Sequence, residues 1–192
     1  MTPDIERDFG LTKRLAFDLA GAIGSMAEWL HRCYNPAMAD KLNSMRVLDQ
    51  RQVNYVVREY PETIHSADGV ADHFGLPRDQ VYKTLVVLPN QGKAILVLVA
   101  GSRELDLRKL AKAIGQKKVQ MATKKEAEAL TGLQTGGISP LALLHKNFPV
   151  YIDRPALALE RILVSAGKRG VNLELSVQEL IAIIKAKLVE AT

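Results

Sequence analysis

A lysine set in a run of β-branched and aliphatic residues is the first feature of this chain that could do chemistry: Val81-Tyr82-Lys83-Thr84-Leu85-Val86-Val87-Leu88. Strand alternation places Lys83 on one face with Val81 and Leu85, and Tyr82, Thr84 and Val86 on the other. If the Val81/Leu85 face is interior, Lys83 is a cation directed inward, costly unless it is paired or borders a wet pocket. Such a lysine could hold a phosphate or orient a carbonyl as a point charge. The alternation leaves the solvent-facing case open. The second feature is Gly132-Leu133-Gln134-Thr135-Gly136-Gly137-Ile138-Ser139-Pro140. Adjacent glycines let a ligand approach the backbone, and successive N–H groups can form an anion nest or an oxyanion hole. An ordinary tight loop ending in Ser-Pro has the same residues. The glycine spacing matches neither the P-loop nor the dinucleotide fingerprint.

A third feature is cationic: Arg108, Lys109, Lys112, Lys117, Lys118, Lys124 and Lys125, with no acidic residue between the first and the last. Phosphate-backbone contacts need such a surface, although a solvated helical face would look alike. Ser139 is a poor nucleophile candidate, because no base is identifiable for it and Gly-x-Ser-x-Gly is absent. Nothing in the sequence brings Asp153 and Glu174 together as a carboxylate pair. With Cys33 the sole cysteine and His31, His65, His73 and His145 scattered, there is no metal-ligand spacing. No metal or other cofactor is expected, and a lone cysteine fits a reducing compartment, the cytoplasm.

The elements that must position these residues follow from periodicity and punctuation. A helix around 39–50 leads into a strand at 53–60 closed by Pro61, and Ser66 caps a short helix ending at Gly75. Strands at 81–88 and 94–99, joined through Pro89-Asn90-Gln91-Gly92, form an antiparallel hairpin. Asp106 opens a helix ending near Gly115, Val119-Gln120-Met121 is a short strand, and Thr123 with Glu126 has capping-box spacing for a helix to Thr131. Strands at 150–152, 162–165 and 171–175 follow. Ser176 with Glu179 opens a last helix through about Leu188. Hairpins mixed with helices, without regular βαβ alternation, predict an α+β domain with a mixed, mostly antiparallel curved sheet flanked by helices.

Length and composition frame this reading. The 192 residues suit one domain plus an appendage, and 47% hydrophobic with 24% charged residues is ordinary for a globular protein. Aromatic residues are 5%, so the core must rest on aliphatic side chains. Residues 1–38 carry four basic and five acidic side chains, so the net charge of +5 comes wholly from residues 39–192. A positive field of that kind suits a polyanion such as RNA. Residues 1–38 read as an N-terminal helical extension, with Leu15, Leu19, Ile23, Met26 and Leu30 at helical spacing. Asp18 and Glu28 interrupt what would otherwise resemble a secretory leader. No run approaches a membrane span, and no membrane partner is expected.

Taken together, four ordered segments resemble the YbaK/EbsC family of editing proteins, which is related to the insertion domain of bacterial prolyl-tRNA synthetases. They are Asp79 to Leu85, Leu105 to Gly115, Gly136 to Leu141, and Val164-Ser165-Ala166-Gly167-Lys168-Arg169-Gly170. The resemblance covers about residues 40–188 within a domain taken as 39–192. It implies a trans-editing deacylase that hydrolyses the ester of a mischarged aminoacyl-tRNA, with tRNA as partner and prolyl-tRNA synthetase as a second. Lys83 would be the family's essential lysine, engaging the adenosine or phosphate end of the substrate. Gly136, Gly137, Ile138 and Ser139 would supply the catalytic loop. Tyr60, Gly132, Pro140, Lys168 and Asn172 would line the substrate site, and Arg108, Lys109, Lys112, Lys117 and Lys118 would contact tRNA. The implied chemistry is substrate-assisted, with a ribose hydroxyl activating water or a cysteinyl thiol attacking its own carbonyl. Cysteine is the leading amino acid, with alanine or serine competing. The chain departs from the Cys-tRNA(Pro) deacylase pattern at Ala142, where glycine is usual, and at Asn172, where aspartate is usual. These departures admit an alternative, a catalytically weak tRNA- or synthetase-binding module.

Overall fold

The structure is a computed structural model that describes residues 41–192; the expected helix of the extension, with Cys33 and His31, lies outside the described residues. Helix α1 (Asn43–Gln50) buries Leu48, and the hydroxyl of Ser44 donates to the carbonyl of Ala166. Strand β1 (Tyr55–Glu59) follows, then α2 (Ala67–Phe74), whose cap Ser66 accepts from the Gly69 N–H at 3.0 Å and whose end is Gly75 with φ 64°. Strands β2 (Tyr82–Pro89) and β3 (Ile95–Ala100) form the expected hairpin, with Lys83 opposite Val99.

Helix α3 (Leu107–Ala113) starts at Asp106, whose carboxylate accepts from the N–H groups of Arg108 and Lys109. Strand β4 (Val119–Met121) precedes α4 (Lys124–Thr131), and the capping box is complete: Thr123 N–H donates to Glu126 at 2.8 Å, and Glu126 N–H donates to Thr123 Oγ1 at 3.3 Å. Beyond the glycine-rich loop come β5 (Val150–Asp153), β6 (Arg161–Lys168), β7 (Val171–Ser176), α5 (Val177–Ile184) and β8 (Lys187–Val189).

The strands make two sheets. One is antiparallel in the order β1-β7-β6; the other runs β4-β2-β3-β5-β8, antiparallel through β3 and parallel thereafter. A single parallel bridge, Val81 to Leu163, joins β6 to the residue just before β2. All six residues of β3 are buried because both its faces are covered. Leu96, Leu98 and Ala100 pack into the main core with β6, β7 and α5, whereas Ile95, Val97 and Val99 pack with Leu110 and Ala111 of α3. Each such leucine, isoleucine or valine contributes about 1.5–3 kcal/mol. Helix α2 packs on the first sheet through Val70 and Ala71, against Leu163 and Val81.

One element differs from the sequence-based expectation. The last helix stops at Ile184, Ser176 makes no side-chain cap, Lys185 takes φ 50°, and Lys187–Val189 becomes a strand parallel to β5. Buried Asp153 completes the turn-off by accepting from the Ala191 N–H at 2.8 Å and the Thr192 hydroxyl at 2.6 Å, which carries Val189 and Ala191 into the second core. Helical spacing cannot foresee an edge that offers partners from elsewhere in the chain.

Candidate functional site

Where the sheets meet, near the Val81–Leu163 bridge, a cleft of about 620 Å³ opens between the first residues of β2, the start of α2, and the β6–β7 pair. Lys83 is half-buried on the face it shares with Leu85 and Val87, and Val87 is fully buried against α3, so that face is interior. Its ammonium donates to the Gly101 carbonyl at 3.1 Å. That leaves further N–H donors on Nζ for a ligand. Gly101 itself is held by its N–H to the Val81 carbonyl at 2.7 Å, and it lies so close to α2 that a β-carbon there would sit 2.6 Å from that of Ala67.

Thr84 also lines the cleft, although it points to the other face of β2, because the cleft wraps the beginning of the strand. Its hydroxyl is buried with no partner among the described residues. From the first sheet come Ser165 and Asn172, directly opposite each other across β6 and β7, with Asn172 5% exposed. Tyr60 closes that side: its N–H donates to Gly170 at 2.9 Å and its ring packs edge-on against Phe74. Burial pushes the Tyr60 phenol up, against opposing effects of Gly170 and Arg169. Burial and then the Asp153 carboxylate push Tyr82 up to about 12. Neither phenol therefore ionises near neutrality.

The glycine-rich loop supplies Thr135, Gly136 and Ile138 to the cleft. Gly136 has φ 91°, and a β-carbon on Gly137 would lie 2.8 Å from the backbone nitrogen of Arg169, so the loop is pressed onto the β6–β7 turn. The Gly137 N–H is used within the loop, donating to Gln134 at 2.8 Å; the N–H groups of Gly136 and Ile138 have no acceptor among the described residues. Backbone donors on a cleft that a lysine also borders are groups a developing oxyanion can use.

The structure thus brings Lys83, Tyr60, Gly136, Ile138 and Asn172 together and sets other expected site residues apart. Ser139 is fully buried with its hydroxyl unpartnered among the described residues, Gly137 and Pro140 are buried, Gly132 terminates α4, and Lys168 is exposed; none of these lines the cleft. The cationic run is distributed over several elements. Lys124 lines the cleft, Arg108, Lys109 and Lys112 ride on α3, and Lys109 donates to the Thr192 carbonyl at 2.8 Å. Lys118 accepts from Asn90 at the hairpin tip. That tip is about 20 Å from Lys83 along β2, at the usual rise per strand residue. Asp153 and Glu174 do not pair: Asp153 holds residues 191 and 192, and Glu174 binds Arg58 and Arg161. Of the two departures from the deacylase pattern, Asn172 lines the cleft, whereas the β-carbon of Ala142 packs against Gly167.

Cleft residues that the sequence reading passed over include Arg169, Ser165, Thr84, His65, Asp68 and Glu104. Arg169 adjoins Lys168 in the turn that the motif pointed to, and of the two only Arg169 lines the cleft. Asp68 has one carboxylate oxygen buried without a partner among the described residues and the other 3.8 Å from Arg78. The rest carried no sequence signal, since only the fold assembles them.

Comparison with known proteins fits this geometry. The family model described as the aminoacyl-tRNA editing domain matches residues 61–183. A protein of Enterococcus faecalis, EbsC, provisionally named a Cys-tRNA(Pro)/Cys-tRNA(Cys) deacylase, is 39% identical over 154 residues, covering 79% of this chain and 93% of its own length. The proline–tRNA ligase of Sulfurihydrogenibium sp. is 33% identical over 114 residues, which are 59% of this chain but 20% of that enzyme. A crystal structure described as a candidate trans-editing enzyme for prolyl-tRNA synthetase superposes with a TM-score of 0.67 at 27% identity, covering 78% of this chain and 96% of that one. Another, of a hypothetical protein, gives 0.72 at 24% identity over 78% and 98% and supports the fold.

Proposed function

Because the chain belongs to the aminoacyl-tRNA editing domain family, we propose that it is a trans-editing deacylase that hydrolyses the ester between a mischarged amino acid and its tRNA. The observation that carries this reading is that Lys83 and the loop residues Gly136 and Ile138, far apart in the chain, border one cleft. The ammonium of Lys83, already tied to Gly101, anchors the terminal nucleotide or its phosphate electrostatically. The unpaired N–H groups of Gly136 and Ile138 receive the oxygen that becomes negative as the ester carbonyl turns tetrahedral.

Attack then falls to water or to a group on the substrate itself. The phenols of Tyr60 and Tyr82 stay protonated and Ser139 is buried, so none of these side chains supplies the base or nucleophile. Water adds to the carbonyl carbon as its proton is relayed through the neighbouring ribose hydroxyl, which gives its own proton to the ester oxygen; collapse breaks the ester C–O bond and the ribose leaves as a neutral alcohol. A site that positions and polarises is sufficient for this. Cys-tRNA(Pro) is the leading substrate, and 39–192 is taken as the editing unit, acting on tRNA in the cytoplasm beside prolyl-tRNA synthetase. The cationic side chains of α3 and of Lys117 and Lys118 are read as contacts to the tRNA body.

The test is deacylation of Cys-, Ala- and Ser-tRNA(Pro) by the full chain without added metal. Lys83→Ala is expected to lower kcat/KM at least about a hundredfold, the scale of losing one partner of a desolvated charge-assisted contact. Full activity of Lys83→Ala on all three substrates would overturn the site assignment. The second reading, a binding module of weak catalysis, is favoured by Asn172 standing in the cleft where related deacylases carry a carboxylate. It predicts salt-sensitive tRNA binding with no hydrolysis of any of the three.

A further inference from the structure

Thr135 is held at both of its peptide groups. Its N–H donates to Glu128 Oε1 at 2.9 Å, from α4, and its carbonyl accepts from Arg169 Nη2 at 2.6 Å, from the β6–β7 turn. The second bond matters most, because the Thr135 carbonyl and the Gly136 N–H belong to one planar trans peptide and point in opposite directions. Fixing the carbonyl on Arg169 therefore fixes the direction of the Gly136 N–H. Without that bond the unit is free to rotate, since it is followed by a glycine, at φ 91°, with little steric resistance to a change of φ.

The same arginine also packs over the Gly136 Cα: its Nε lies 3.4 Å from the position a Gly136 β-carbon would take. On the other side, the hydrogen bond from Thr135 holds the Glu128 carboxyl below the ordinary carboxylate value. The two side chains thus grip the loop from two elements, α4 and the β6–β7 turn.

We infer that Glu128 and Arg169 are the positioning pair of this site, acting through Thr135 to aim the Gly136 N–H at the ester carbonyl. The inference rests on reading the cleft as the deacylation site. It assigns Arg169 to the protein's own backbone rather than to tRNA, and it places the β6–β7 turn in control of the loop geometry. Neither residue takes or gives a proton in the reaction.

Two measurements on the full chain decide it. In steady-state deacylation of Cys-tRNA(Pro), Arg169→Ala should lower kcat about a hundredfold with KM little changed, as misplacement of a reacting group does. Arg169→Lys should recover part of that loss by donating to the same carbonyl, and Glu128→Gln should recover the loss seen in Glu128→Ala. Independently of tRNA, amide hydrogen exchange should show Thr135 exchanging faster in Glu128→Ala than in Glu128→Gln. Wild-type kcat in both alanine variants overturns the inference, as does a loss confined to KM with a shallower salt dependence, which would put Arg169 on a phosphate. If the wild-type chain deacylates none of the three charged tRNAs, the functional reading fails, and unchanged Thr135 exchange would still reject the clamp.

Discussion

Gly101→Ala isolates the contact that seats Lys83. An added β-carbon would lie 2.6 Å from the Ala67 β-carbon, whereas carbon atoms rest at about 3.5–4.0 Å, so the two segments must separate by about 1 Å. Both partners are constrained, Ala67 by the first turn of α2 and Gly101 by its bond to the Val81 carbonyl. Overpacking of this kind costs roughly 1–3 kcal/mol, and 2 kcal/mol corresponds to a fall in Tm of roughly 4–8 °C for a domain of this size. The Gly101 carbonyl moves with its residue and takes the Lys83 ammonium with it, so a displacement of about 1 Å should lower kcat about a hundredfold. The control is Gly92→Ala at the hairpin tip, where φ is 97° and no atom lies within 4 Å of the new carbon. That variant should lose about 1–2 kcal/mol through backbone strain alone and keep its rate. Thermal melts and single-turnover deacylation of Cys-tRNA(Pro), measured on both proteins, separate stability from positioning. A Gly101→Ala protein with lowered Tm but wild-type kcat would refute the coupling of this glycine to Lys83, and so would an equal rate loss in Gly92→Ala.

Other outcomes follow from the same geometry. His65 lines the cleft, and with substrate-assisted attack His65→Ala should reduce kcat by less than about threefold; a hundredfold loss would identify a side-chain base. Asp153→Ala leaves the Ala191 N–H without its buried acceptor and should cost about 1–3 kcal/mol in urea unfolding while deacylation continues; an unchanged midpoint would show that β8 does not depend on this bond. Replacing Lys117 and Lys118 together by alanine should flatten the dependence of tRNA affinity on salt by up to about two in the log–log slope, and an unaltered slope would remove the hairpin tip from the tRNA-binding surface.

Local elements were legible in the chain because their causes are local. The hairpin around Pro89 to Gly92, the cap at Asp106, the strand at Val119 to Met121 and the capping box at Thr123 each depend on a few adjacent side chains, and the structure forms all four. Lys83 stood out for a similar reason, since a cation in an aliphatic strand is anomalous wherever the strand ends up. Tertiary structure decided what depends on distant partners. It turned Lys187 to Val189 into a strand, because β5 offered an open edge, and it spread the cationic run over α3, the hairpin tip and the cleft. It buried Ser139, and it set Arg169 rather than Lys168 against the loop. The sequence alone determined that a lysine and a glycine loop were out of the ordinary; the two-sheet junction determined that they share a cleft, because burial of three separate aliphatic clusters fixes where the two sheets meet.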